Sequence, residues 1–173
     1  MAKTDSFFIR QKVETTTAGT FIQETIDLGA FVDALGRSVL RIKSISVQYA
    51  DASSLIQPIS VAANHVNKFA WQLTTQSQSA LVYADDRAVI ASGSLTLANN
   101  SSTADKLSMM DEVADLNPTD WEGGYLVGVD AIYLGVNQKA VPPEGAVAVS
   151  LVLECVSTTL TKEAAMALAL SQQ

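Results

Sequence analysis

Two stretches decide the fold class: Tyr125 to Val136, YLVGVDAIYLGV, and Ala146 to Thr158, AVAVSLVLECVST. In the first, Tyr125, Val127, Val129 and Tyr133 fall on one phase of a two-residue alternation and Leu126, Ile132 and Leu134 on the other, with Asp130 the sole charge. In the second, Val147, Val149, Leu151, Leu153 and Cys155 share one face, while Ala146, Ala148, Val152 and Val156 lie on the other. Strands that are apolar on both faces belong in the middle of a sheet, where both faces are covered. Pro142-Pro143-Glu144-Gly145 between them is a turn sequence, and so short a connection predicts an antiparallel hairpin.

The rest of the chain repeats the strand period. Ser6 to Val13 and Thr20 to Leu28 are β-rich runs separated by Glu14-Thr15-Thr16-Thr17-Ala18-Gly19, which predicts an opening hairpin. From Val39 to Tyr49 the apolar phase switches from Leu40 and Ile42 to Ile45, Val47 and Tyr49, as a bulge near Lys43-Ser44 would make it do. Phe69 to Thr75 and Ala88 to Ala98 complete the strand set, the latter interrupted at Ser92-Gly93, and Asp51 to Lys68 and Asn99 to Glu122 read as long loops. Helical spacing occurs at Ala104 to Val113 and at Lys162 to Ser171. The second segment has a capping Thr161, an acidic Glu163 in its first turn and a run of strong helix formers. So short a helix is marginal alone and must dock.

These elements predict an all-β chain, a two-sheet antiparallel sandwich of jelly-roll type with a short C-terminal helix, an immunoglobulin-like sandwich being the competing arrangement. No linker or repeat divides residues 1–173, so one domain is expected, with 1–13 as an arm and first strand and 162–171 as the tail helix. The N-terminus lacks the apolar core of a signal peptide, and Gly145 to Val156, broken by Ser150 and Glu154, falls short of a membrane span.

Composition removes most chemistry. With 18 acids against 11 bases the chain carries a net charge of −7, contrary to a general nucleic-acid binder. One cysteine and one histidine exclude an intramolecular disulfide, a cysteine-rich zinc site and the usual multi-histidine metal centres. No phosphate-binding glycine motif occurs, and a Ser-His-Asp triad would have to recruit His65, which reads as a loop imidazole. Cys155 sits on an apolar strand face and reads as a small hydrophobe. Trp121 and Tyr125 read as packing at a strand entrance, and the sequons at Asn99 and Asn100 as a loop. Asp111, Glu112, Asp115, Asp120 and Glu122 form the densest set of oxygen ligands, a calcium candidate without EF-hand spacing whose plainer reading is a solvated rim. Neither catalytic residues nor a cofactor is expected.

Charge is unevenly distributed. Through Ile90 eight bases balance eight acids, and the whole excess of acid lies beyond it. A two-sided pattern of this kind suits a protein that meets copies of itself. Phe7, Phe8 and Ile9 near the N-terminus and Met166, Leu168 and Leu170 on the tail helix are the expected contact residues.

In length, opening hairpin, Val39 to Tyr49 strand and paired final strands, Ser6 to Ser157 resembles the single-jelly-roll major capsid proteins of icosahedral viruses, particularly the small upright ones of prokaryotic viruses. The resemblance implies a homo-oligomeric structural protein, made in the host cytoplasm and located in the virion beside other virion proteins. Its subunits would stand side by side in a genome-containing shell, their sheets in lateral contact and their terminal segments tying neighbours together. The sequence departs from many such proteins in having no arginine-rich N-terminal arm, so the resemblance does not extend to direct or sequence-specific nucleic-acid binding. Two other classes share the composition: a ligand- or carbohydrate-binding sandwich, and a tube-, filament- or spike-forming structural protein.

Overall fold

A computed structural model describes residues 5–15, 18–33, 37–59, 61–104, 106–139 and 146–173. Nine strands are present among them: β1 (Phe7–Glu14), β2 (Ile22–Asp27), β3 (Ser38–Asp51), β4 (His65–Thr74), β5 (Val89–Asn99), β6 (Met109–Leu116), β7 (Tyr125–Val127), β8 (Ala131–Gln138) and β9 (Val147–Thr159). A 3-10 turn, Pro118–Asp120, precedes β7, and helix α1 (Lys162–Ser171) follows β9. The strands form two antiparallel sheets, ordered β1-β9-β3-β7 and β2-β8-β4-β5-β6. Within them β1 lies beside β9, β2 beside β8, β3 beside β7 and β4 beside β5. That nesting of first with last is the order made by wrapping one long antiparallel ribbon into two facing sheets, a jelly roll, with β6 added outside β5.

The central strands are the ones expected. β9 pairs with β1 on one side and β3 on the other, and its residues Val147, Val149, Leu151, Leu153 and Cys155 are buried. In β3 the register against β9 shifts between Ile42 and Ser44, the anticipated bulge. It turns Leu40, Ile42 and Ile45 alike into the interior despite the change of phase. Facing them are Ile132, Leu134 and Val136 of β8 and Trp71 and Leu73 of β4. A second, smaller cluster of Val61, Phe69, Leu95, Leu97 and Val147 closes one end of the sandwich. Burial of these aliphatic side chains, each contributing about 1.5–3 kcal/mol, is the main force holding the sheets together.

Several expectations are corrected. β1 and β2 do not form a hairpin: β1 pairs with β9 and β2 with β8, in different sheets. The final strands are not a hairpin either, since β8 joins the β2/β4 sheet and β9 the opposite one. Pro142-Pro143-Glu144-Gly145 itself lies outside the described residues. Tyr125 to Val136 is two strands, because the chain crosses between sheets at residues 128–130. A Cβ on Gly128 would lie 3.0 Å from Leu168 Cγ, so the crossing passes under α1 where only hydrogen fits. The helix expected at Ala104 to Val113 is replaced by β6, and the loop expected from Asn99 to Glu122 is largely that strand plus the 3-10 turn. The Asp51 to Lys68 loop is shorter than expected because β4 begins at His65. Ser92-Gly93 does not interrupt β5, but marks where its register with β6 shifts.

Candidate assembly surfaces

Helix α1 occupies the expected residues, and Thr161 Oγ1 accepts from Ala164 N at 3.3 Å. Its docking face is narrow, since within the helix Ala165 and Ala169 are buried and Leu168 is partly covered. The deeper anchor is Gln172, just past it, which sequence reading passed over. Gly128 N donates to Gln172 Oε1 at 2.7 Å, and Gln172 Nε2 donates to Leu126 O at 2.7 Å. Its carbonyl accepts from Thr75 Oγ1 at 3.1 Å and Gln76 Nε2 at 3.3 Å. One buried residue thereby satisfies backbone groups of the sheet crossing and side chains of the 75–88 loop. No periodicity marks such a residue, because its partners are set by tertiary placement.

With the alanines turned inward, the larger apolar side chains of α1 face solvent: Met166 is 42% exposed and Leu170 68%. Of the N-terminal trio, Phe7 stacks on Phe31 with centroids 4.7 Å apart, and Ile9 packs partly buried against the core. Phe8, on the other face of β1, is 53% exposed and lies beneath the guanidinium of Arg10 at 5.5 Å. Phe8, Met166 and Leu170 are thus available to a partner, whereas Phe7, Ile9 and Leu168 already contribute packing within the chain.

The acidic segment takes an unexpected form. Asp111, Glu112 and Asp115 lie along β6, the outermost strand of its sheet, while Asp120 closes the 3-10 turn and Glu122 follows Trp121. A strand points successive side chains to opposite faces, so Asp111 and Glu112 diverge. Among the described residues no group of three or more carboxylate, imidazole or thiol side chains is gathered as a metal ion requires. Seven of the eight β6 residues are exposed, Met110 by 62%. Between β6 and the upper part of β3 runs a groove of about 450 Å³. Val47, Tyr49, Leu55, Leu97, Leu107 and Met110 line it, and Glu112 stands on its wall. Burial raises the Tyr49 hydroxyl well above its ordinary range, with Glu112 and Asp115 adding to the rise and a hydrogen bond to Trp71 opposing it.

The remaining candidate residues are held by contacts within the chain. Burial and the nearby Glu154 push the Cys155 thiol up to about 12. His65 opens β4 with Nδ1 2.8 Å from Ala63 O. Trp121 and Tyr125 meet at 5.9 Å, and Gln172 Nε2 lies 3.4 Å from the Tyr125 hydroxyl. Arg41 donates from Nη1 to Gly123 O at 2.6 Å, fixing the Gly123-Gly124 turn against β3. Asn99 is wholly buried and donates to Val61 O at 3.0 Å and Thr103 O at 2.9 Å. Among the described residues no helix is long and apolar enough to cross a membrane.

No protein-family model and no curated protein matches the sequence. Solved structures do align with this chain. VP1 of Trichodysplasia spinulosa-associated polyomavirus, in complex with GM1 oligosaccharide, aligns with a TM-score of 0.50 at 9% identity, covering 92% of this chain and 97% of that one. The Merkel cell polyomavirus VP1 unassembled pentamer aligns at 8% identity and a TM-score of 0.44, over 88% of this chain and 96% of that one. A chain of Sulfolobus turreted icosahedral virus aligns at 16% identity and a TM-score of 0.33, over 88% of this chain but 29% of that one. At 9% identity the first of these alignments bears on the fold alone.

Proposed function

We propose that a jelly roll of this kind, matched along nearly its whole length by viral capsid folds, is here a structural virion protein. It is a non-enzymatic capsid subunit that assembles with copies of itself and takes its place beside other virion proteins. The observation that carries the reading is the free edge of each of the four strands that end the two sheets, β1, β7, β2 and β6, together with exposed apolar side chains on β1, β6 and α1. Unpaired edges expose rows of backbone donors and acceptors, a liability that an isolated monomer has to guard and an assembling subunit satisfies. Phe8, Met166 and Leu170 are the contact residues of this proposal, and the chain acts as one unit with its tail helix docked.

Light scattering and negative-stain microscopy on the purified chain, at low and moderate salt and with or without calcium, test the reading. Shells, sheets or discrete rings are expected. A chain that stays monomeric under all these conditions overturns self-assembly, and a strict calcium requirement moves the acidic residues from rim to binding site. A ligand-binding sandwich is the second reading, and the β3/β6 groove is the observation that favours it. Its lining is mainly aliphatic, whereas sugar sites present aromatic platforms. Monomer together with a saturable glycan or apolar-ligand titration would select that reading.

A further inference from the structure

Strand β7 is three residues long and pairs only with Leu40, Arg41 and Ile42 of β3. β3 runs on to Asp51, and past that pairing its β7 side meets the 3-10 turn: Ile45 N donates to Thr119 Oγ1 and Asn117 Nδ2 to Ile45 O, each at 3.4 Å. Backbone groups of successive residues point to alternate sides of an antiparallel strand. Ile45 points away from β9, and Ala52 N points toward it, donating to Ala146 O. Val47 and Tyr49 therefore face the same way as Ile45. Among the described residues no strand or turn bonds their N–H and C=O groups on that side.

A free edge alone selects no partner, since β1, β2, β6 and β7 have one too. This length of β3 also borders the groove of about 450 Å³, into which Val47 and Tyr49 turn their side chains. Across it, Met110 and Glu112 of β6 stand opposite Leu97 and Leu95 in the β5/β6 ladder, so all four lie on one face of the sheet. Leu97 is 2% exposed but Met110 62%, because the cover that reaches β5 stops short of β6. Glu112 is exposed as well, and no basic side chain lines the groove. The one salt bridge among the described residues joins Lys12 to Glu14.

The geometry points to a strand-acceptor site: an extended peptide segment of another protein, with alternate apolar residues and a lysine or arginine, adds to β3 along residues 47–51. Its inward side chains, level with Val47 and Tyr49, enter the groove against Leu97 and Met110, and its base meets Glu112. Two requirements single out a peptide of this kind. An alkyl ligand could fill the groove but would leave the Val47 and Tyr49 backbone groups unbonded, whereas an added strand bonds them and places every second side chain in the groove. Covering Glu112 without a counter-charge is costly, so the guest is basic at that point. Five residues at about 3.4 Å each span about 17 Å, the length of an ordinary short strand. The site goes beyond the assembly reading and does not require it.

A random library of displayed peptides about seven residues long, selected against the full chain at a concentration where it is monomeric, provides the test. Enriched sequences are expected to alternate apolar residues and to carry a lysine or arginine. Bound as a synthetic peptide, such a sequence is expected to slow hydrogen exchange at the Val47 and Tyr49 amides. Glu112→Lys, on an exposed side chain, is expected to weaken it about tenfold or more. Val47→Pro removes an edge-facing N–H without touching the β9 ladder and is expected to abolish binding, with circular dichroism establishing that each variant folds. No enrichment, or peptides that bind both folded variants as tightly as wild type, overturns the site and leaves self-assembly standing. Displacement by decanoate, with those two amides exchanging at the free rate, assigns the groove to a small apolar ligand and overturns the peptide. Protection of the same amides on self-assembly alone makes the guest a second copy of this chain and overturns the separate partner.

Discussion

Gly124 and Gly19 separate two reasons for needing glycine. Both have positive φ, +70° and +71°. A Cβ on Gly124 would also clash with the carbonyl of Ile42, whereas nothing lies within 4 Å of one on Gly19. Gly124→Ala is expected to cost about 2–4 kcal/mol in urea denaturation and Gly19→Ala about 1 kcal/mol, the second reflecting backbone strain alone. Cys155 gives a second check. With its thiol pushed up to about 12, its thiolate fraction at pH 8 lies on the order of a thousandfold below that of an unfolded cysteine. Iodoacetamide should label the native chain only as fast as it unfolds, and rapid labelling would mean that β9 is exposed. At Asp51, hydrogen bonds from Ser53 and then Ser54 lower the carboxyl from its ordinary value. A folded value below the unfolded one contributes stability that is present above the unfolded value and lost as pH falls through the folded one. Asp51→Asn should therefore lower stability at neutral pH and flatten the acid limb of the stability profile. Equal acid limbs for the two proteins would refute this.

At the scale of elements, the C-terminal segment depends on one side chain. Truncating Gln172 to alanine removes acceptor and donor from Gly128 N and Leu126 O at a nearly closed site, each unsatisfied group costing about 1–3 kcal/mol. Hydrogen exchange at the Gly128 amide should accelerate in Gln172→Ala while the β9 amides stay protected, and unchanged exchange there would show that α1 docks without its anchor. The elements also differ in how far local sequence defined them. α1 carries its own cap and helix formers, and the β3 bulge writes itself into the phase switch from Ile42 to Ile45. β6 does neither. Leu107, Met110 and Val113 recur at three-residue steps, and Asp, Glu and Ala have little strand propensity, so Met109–Leu116 is a strand because β5 offers it an edge to pair with.

Over the whole molecule, the charge on the edges follows from how the ribbon is wrapped. The sequence's even first half and acidic second half do not become two halves of the molecule, because β9 lies between β1 and β3, and β8 between β2 and β4. What survives is local: Arg10 and Lys12 on the exposed row of β1, and Asp111, Glu112 and Asp115 along β6. By itself the sequence determined the sandwich class, the two-faced central strands, the bulge and the tail helix, since each is encoded by periodicity and capping within a dozen neighbouring residues. Tertiary structure alone decided which strands pair. Phe7 faces Cys155 across the ladder, and both expected hairpins gave way to partners far along the chain. A strand's alternation records which face is covered but not by whom, because backbone hydrogen bonding is the same for every partner and the choice is made by packing the whole core.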